Sequence, residues 1–339
     1  MTRDLLVRKA GPGVSVQDTG RPGHLGLGLS RGGAVDRLAL AEGAALLGQD
    51  IACAVLEMAG IGGTFEAGAD MRIALTGAPM RATIDGTPIA WNASHLLPAG
   101  APLTIGAVEA GSYGYLHLGG GIDGPAWLGA RSAHLAAGIG RTVQAGDRLP
   151  VGPDAAPGAV GMRLPASARF DGGTVRVVPS LQTDFFSPAQ RARLESTAFR
   201  RDNRGSRMGI RLTGQDTVFH TEAGLRLLSE VVLPGDIQIT GDGTPFVLLA
   251  ECQTTGGYPR ICAVLPCDLP IVAQAPPGAL LRFRFVTLDE GVAAESRARD
   301  HIAGLRKTLT PLIRDPHEIR DLLGLQLISG VTAGDDLEG

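Results

Sequence analysis

Short apolar or alternating runs, separated by Gly, Pro and Asp-Gly, recur along most of the chain. Residues 5–7 and 14–16 read as strands on either side of the turn Gly11-Pro12-Gly13, and residues 71–75 and 103–105 continue the pattern. Helical periodicity is confined to a few places. Leu40, Ala44 and Leu47 fall on one face of a helix over 37–47, with Asp36 placed as N-cap and Gly48 just past the end. Ser187-Pro188-Ala189-Gln190 reads as N-cap, first-turn Pro and N3 Gln of a second helix. Ala298, Ile302, Leu305 and Leu309 share a helical face in the tail, and Asp315-Pro316-His317-Glu318 opens a further helix carrying Ile319, Leu322 and Leu323. Regularly spaced short strands with few helices predict a mainly β protein of the barrel or sandwich type.

A chain of 339 residues is long for one core. The Pro-, Ala- and Gly-loaded segment 153–173 shows no sustained period and reads as a linker. It divides an N-terminal β domain over 1–152 from a C-terminal one over 174–288, followed by a helical tail over 289–339. The halves echo each other weakly: Pro98-Ala99-Gly100 precedes a strand as Pro234-Gly235 does, consistent with two related β domains or with chance in a Gly-rich chain.

Composition narrows the function classes. The 49 Gly and 22 Pro accompany a 44% hydrophobic fraction, which is too apolar for disorder, so the excess supports turn-rich β structure. A formal net charge of -3 gives no general attraction to nucleic acid or anionic membrane, and no run reaches the roughly 18 apolar residues of a span. A cytoplasmic protein is expected. Cys53, Cys252, Cys262 and Cys267 lack the spacing of a metal site or disulfide scaffold and are expected as buried free thiols. The seven histidines have no compact ligand spacing, so no metal is expected. Only Lys9 and Lys307 occur, neither after a glycine, which excludes a Gly-x-x-x-x-Gly-Lys phosphate loop. Neither stands in a Met-Lys-Met setting, so the chain is not a biotin carrier.

Two polar loops carry the candidate chemistry. Gln253-Thr254-Thr255-Gly256-Gly257-Tyr258-Pro259-Arg260 follows the apolar run 246–250 and offers amides, hydroxyls, a flexible Gly-Gly and an aromatic face; the same residues also suit a plain turn. Gln17-Asp18-Thr19-Gly20-Arg21-Pro22-Gly23 has similar chemistry far away in sequence. There Asp18 and Arg21 either pair with each other, or Arg21 holds an anionic substrate group that Asp18 orients. Capping is the favoured role for Asp36. Gly28-Leu29-Ser30-Arg31-Gly32 matches the nucleophile-elbow pattern without its strand and helix, and Gly119-x-Gly121-x-x-Gly124 matches a dinucleotide fingerprint without a βαβ unit, so Ser30 is set aside and the glycines read as a turn.

Ser15 through Gly23, Gly33-Ala34-Val35-Asp36, Gly119 through Asp123, Leu128 through Ser132, Ser206-Arg207-Met208-Gly209, Gln253 through Pro259 and Ala273-Gln274 together resemble the allophanate hydrolase subunit 2 family. That family includes the C subunit of ATP-dependent 5-oxoprolinase, the KipI antagonist and part of the carboxyltransferase region of urea carboxylase. The resemblance covers residues 5–288. It departs from the family at Ala130 and Ala133, which replace hydroxyl residues, at Glu251, which replaces Asp, and at Val231, which replaces Gly.

The resemblance implies two cyclophilin-like β-barrels and an active complex with a subunit 1-type partner, with a third lactam-utilisation subunit as a further component. It implies ATP-dependent ring opening of 5-oxoproline, with ATP acting in the complex. The alternatives are a carboxyltransferase component, for which biotin would come on another chain, and a non-catalytic regulatory binding protein. The implied catalytic set is Gln253, Thr254, Thr255, Tyr258, Arg21 and Asp18. The implied substrate-binding set is Gln17, Asp36, Gly120, Arg131, Arg207, Gln238 and Gly257.

Overall fold

A computed structural model describes residues 3–214, 218–221 and 229–313. The chain is mainly β, as its sequence predicts. In the N-terminal half, one antiparallel sheet orders its strands Arg148–Pro150, Asp4–Ala10, Ile61–Ala67, Pro102–Val108, Met80–Ile84 and Thr87–Ile89. A second antiparallel sheet begins Ser15–Gln17, Val55–Ala59, Tyr113–Leu118, Met71–Gly77 and Ala93–Leu97. The turn at Gly11-Pro12-Gly13 passes the chain from the first sheet to the second. Leu5, Val7, Phe65 and Leu103 from one sheet meet Leu56, Ile73, Leu75 and Leu116 from the other in a closed apolar core.

The C-terminal half is a closed seven-stranded barrel. Its strands Gly172–Val178 and Leu280–Phe285 run parallel, and the other neighbours run antiparallel. Phe199 packs against Phe219 and Phe283 with centroids 6.1 and 5.7 Å away, which fills the barrel interior. This core runs on without a break into Val35, Leu40, Val55 and Tyr115 of the N-terminal half, so the two units share apolar surface.

The segment 153–173, expected as a linker, is integrated instead. Met162–Arg163 adds a strand to the second N-terminal sheet, and Thr310–Pro311 of the tail pairs with it. Asp154 takes two bonds from buried Arg72. The tail helix Leu288–Gly304 carries a Thr287/Glu290 capping box and buries Gly291 and Ala294, while Ile302 stands exposed. The second tail helix predicted from Asp315 lies outside the described residues. No helix among the described residues is long and apolar enough to cross a membrane. None of the four cysteines forms a disulfide; Cys252 and Cys262 are buried, and Cys53 and Cys267 are half-buried.

Helix α1, Arg37–Leu47, has the predicted ends: Asp36 caps Ala39 N, and Gly48 closes it at φ 62°. The helix lies across Tyr113–Leu118, every residue of which is buried. Contact is close because Gly43 faces the His117 ring: a Cβ there would stand 2.2 Å from ring atoms. Thr76 Oγ1 donates to the Ala39 carbonyl, so it accepts from His117 Nε2 at 2.7 Å and fixes the neutral tautomer. Burial pushes this imidazole down to about 3.

Two outcomes follow from this contact. Gly43→Ala should destabilise the protein by about 2 kcal/mol or more, measured by urea unfolding, because neither helix nor ring can yield. Unfolded His titrates near about 6.5, so between there and about 3 the unfolded chain binds a proton that the folded chain refuses. Stability should therefore fall with pH in that window, and His117→Asn should lose about 2 kcal/mol less than wild type between about pH 6.5 and 5.

Candidate functional site

Three polar segments meet where the two β units join: the loop from Gln17 to Asp36, the loop from Gly124 to Thr142, and the end of strand Pro245–Leu248 running into Glu251. The first is anchored by its backbone. Gly32 N donates to the Ala250 carbonyl at 3.1 Å, and Ala34 N to the Asp18 carbonyl at 2.9 Å. Gly20 and Gly33 are required here, since a Cβ on either would stand 2.5 Å from backbone atoms of the opposing turn.

A buried ion cluster ties these segments together. Arg207, from the C-terminal barrel, donates Nη1 to Glu57 Oε1, Nε to Glu251 Oε1 at 2.6 Å and Nη2 to the Gly33 carbonyl at 2.5 Å. Glu57 Oε2 accepts from Tyr115 OH and Val35 N, and Glu251 Oε2 accepts from Ala136 N. Burial alone would push the Arg207 guanidinium down, but Glu57 and Glu251 outweigh it and hold it above the usual arginine value.

Asp18 organises backbone. Its Oδ2 accepts from Arg131 N at 2.6 Å and Ser132 N at 3.2 Å, and its Oδ1 from Gly20 N at 2.8 Å. Arg21 does not form the ion pair with Asp18 that was one of its two expected roles. Its Nη2 donates to the Ser132 carbonyl and its Nε to the Trp127 carbonyl at 3.4 Å, while Nη1 is buried without a partner. Burial lowers its pKa, against Asp18 and Glu251, which raise it. Ser132 Oγ is also buried and unpartnered, and the residue lies along a cleft of 420 Å³ bounded by Trp127, Arg131, Ala133, Arg141 and Arg148.

Ser30 Oγ lies 2.8 Å from His134 Nε2. Ala137 N donates to His134 Nδ1, which leaves the proton of a neutral ring on Nε2 and makes Ser30 an acceptor. Burial lowers the His134 pKa, favouring the neutral ring. His134 is therefore not arranged to take a proton from Ser30, and a 3-10 turn, Leu25–Leu27, rather than a strand precedes the Gly-x-Ser-x-Gly run.

Several residues of the expected binding set are engaged within the chain. Asp36 is fully buried: Oδ1 caps Ala39, and Oδ2 accepts Arg169 Nε and Gln274 Nε2, each at 2.8 Å, so no lone pair faces an opening. Arg207 is consumed by its two carboxylates. Arg131 pairs with Asp123 at 2.5 Å. Gly120 serves a turn at φ 91°, donating its N–H to Gln49. Gln17 is buried, with its Nε2 on Ser15 Oγ and the Ala133 carbonyl and its Oε1 unpartnered.

The Gln253 loop forms a separate cluster. Thr255–Gly256 pairs with Glu230–Val231 in a two-stranded ribbon, placing Val231 opposite Thr255. Gln253 Nε2 donates to Gln238 Oε1 at 3.2 Å, Gln238 Nε2 is buried without a partner, and Tyr258 is 47% exposed. Thr254 bonds through its carbonyl to Val232 N, and Gly257 is exposed. Among the described residues, no hydrogen bond or ion pair joins this cluster to Asp18 or Arg21. The link between the halves runs instead through Ala250 and Glu251, just before the predicted loop. Sequence reasoning assigned no role to Glu57, His134 or Arg169, each an isolated polar residue in an apolar run or loop without motif spacing, and used Gln274 only as part of a family motif.

Residues 27–285 match the carboxyltransferase domain family, subdomains A and B. The chain belongs to this family. It is similar to the 5-oxoprolinase C subunit of Escherichia coli, 34% identical over 295 residues that span 86% of this chain and 94% of that protein. The Haemophilus influenzae 5-oxoprolinase C subunit is 32% identical, spanning 85% and 93%. Among solved structures, TTHA0988 superposes with a TM-score of 0.77 at 31% identity, covering 84% of this chain and 55% of that one, so this chain spans about half its length. The Kluyveromyces lactis urea amidolyase shares the fold, with a TM-score of 0.80 at 22% identity, covering 93% of this chain and 21% of that one.

Among the described residues no group of His, Cys, Asp or Glu could hold a metal ion. In the cleft, Arg131, Arg141 and Arg148 pair with Asp123, Asp147 and Asp4. Asp18→Asn would turn an acceptor of three N–H groups partly into a donor. It should cost about 2 kcal/mol in chemical denaturation and expose the 124–142 loop to faster hydrogen exchange.

Proposed function

We propose that this chain is the C-subunit-type component of an ATP-dependent 5-oxoprolinase. In this reading it acts in the cytoplasm, where ATP is available, with a subunit 1-type partner and a third lactam-utilisation subunit. The observation that carries the reading is its likeness to the Escherichia coli protein over 94% of that protein's length, compared with 19% of the 24%-identical Saccharomyces cerevisiae urea amidolyase. Lactam hydrolysis adds a water oxygen to the ring carbonyl carbon, breaks the C–N bond and protonates the nitrogen. Negative charge develops on the carbonyl oxygen in between, and fixed donors lower that barrier. Ser132 Oγ, from a cleft-lining residue, and Arg21 Nη1 are buried donors left unused in the free chain, and they would serve this role once the partner or substrate opens access to them. Gln253, Thr254, Thr255 and Tyr258 would then contact substrate or partner from the other cluster. Because the cleft arginines are engaged, ATP is assigned to another subunit and no step of this chain is drawn through it.

A carboxyltransferase role with a biotinylated carrier is the second reading, favoured by the family that matches residues 27–285. A regulatory role without turnover is the third. Co-purifying the chain with its partners and measuring glutamate from 5-oxoproline separates them: ATP-dependent product is expected, and none from an intact complex would reject the first reading. Ser132→Ala removes no hydrogen bond, so the free chain should keep its stability to within about 0.5 kcal/mol while turnover of the complex drops about tenfold or more.

A further inference from the structure

A second cavity opens on the junction, away from the cleft of loop 124–142. It holds 210 Å³ and is walled by Pro234, Leu249, Leu269 and Pro270, with Arg31 and Arg37 exposed at its mouth. Both arginines are held in place by one atom. Arg31 Nε and Arg37 Nη2 donate to the Thr19 carbonyl at 2.9 and 3.1 Å, which sets two like charges side by side. Among the described residues neither has a carboxylate in salt-bridge range, although every arginine of the neighbouring cleft has one. Crowding by protein, then the charge of Arg31, holds the Arg37 guanidinium down to about 10. Such a pair repels until an anion sits between its forks.

We propose that this junction slot binds a small organic carboxylate with a compact apolar body, the carboxylate on Arg31 and Arg37 and the body against Leu249 and Leu269. The walls decide the class. Arg31 and Arg37 are the polar side chains of the lining, and the other side chains are apolar, so an inorganic phosphate seated in the slot would lose hydration on its remaining sides, whereas a carboxylate turns its apolar end inward. The proposal concerns the free chain and does not depend on the oxoprolinase reading.

The test is calorimetric titration of the isolated full chain with cyclopentanecarboxylate, cyclopentanecarboxamide, acetate and inorganic phosphate. Saturable binding of the first is expected, with the carboxamide and acetate each weaker by about tenfold or more. Arg31→Gln/Arg37→Gln should weaken binding by about tenfold, with a native circular dichroism spectrum and a cooperative melt showing that the variant is folded. Leu269→Trp should also weaken it by filling the slot with the arginines intact. The proposal is overturned if cyclopentanecarboxylate shows no saturable binding, if the carboxamide binds equally, if phosphate binds more tightly, or if the double variant retains wild-type affinity. These outcomes are read without partner subunits or ATP, so they leave the 5-oxoproline assay to stand or fall separately.

Discussion

Arg207 reaches out of the C-terminal barrel into the N-terminal half and finds Glu57 and the Gly33 carbonyl there, while Glu251 of its own barrel holds its third edge. Burying three charges adds little net stability, because desolvation offsets most of the attraction. Removing one partner is another matter, since a stranded interior charge costs about 3–5 kcal/mol. Any other docking of the two β units would strand the same charges. The cluster thus fixes how the units sit, and with them the 17–36 loop that Glu57 and Arg207 grip at Val35 and Gly33.

A second junction stands behind the first. Gln274 spends its whole amide: Oε1 accepts from Ser112 N and Tyr113 N, and Nε2 donates to Asp36 and the Tyr113 carbonyl. Asp36 in turn receives Arg169, which also forks onto Glu42. This saturation explains why so many polar residues near the junction have no role toward a ligand. Against that background the few unpartnered groups stand out. Arg21 Nη1 and Ser132 Oγ lie on one side of the 17–36 loop, and the carboxylate-free pair Arg31 and Arg37 on the other. One loop, pinned by Asp18 and by Gly32 to Ala250, positions both.

Local features were legible in the sequence because local chemistry determines them. The cap at Asp36, the stop at Gly48, the Ser187 cap and the short strands all depend on residues within a few positions of one another. The mainly β class followed from the same periodicity. The candidate site was legible only in part: the C-terminal half is met at Ala250 by Gly32 and at Glu251 by Ala136, outside both predicted polar loops. Segment 153–173 looked like a linker because its Pro and Gly break every period, yet Asp154 and Arg169 find partners far away in sequence.

What the sequence alone determined about this protein was its element types, the ordered motifs that place it in its family, and the absence of a phosphate loop or carrier lysine. Which polar residues are spent and which remain free was decided only by the tertiary structure. Asp18, Asp36, Arg131 and Arg207 have the same chemistry on paper as a binding site. Whether each charge faces a ligand or a buried partner depends on groups as distant as Arg207 is from Glu57, 150 positions apart, and no local pattern encodes that pairing.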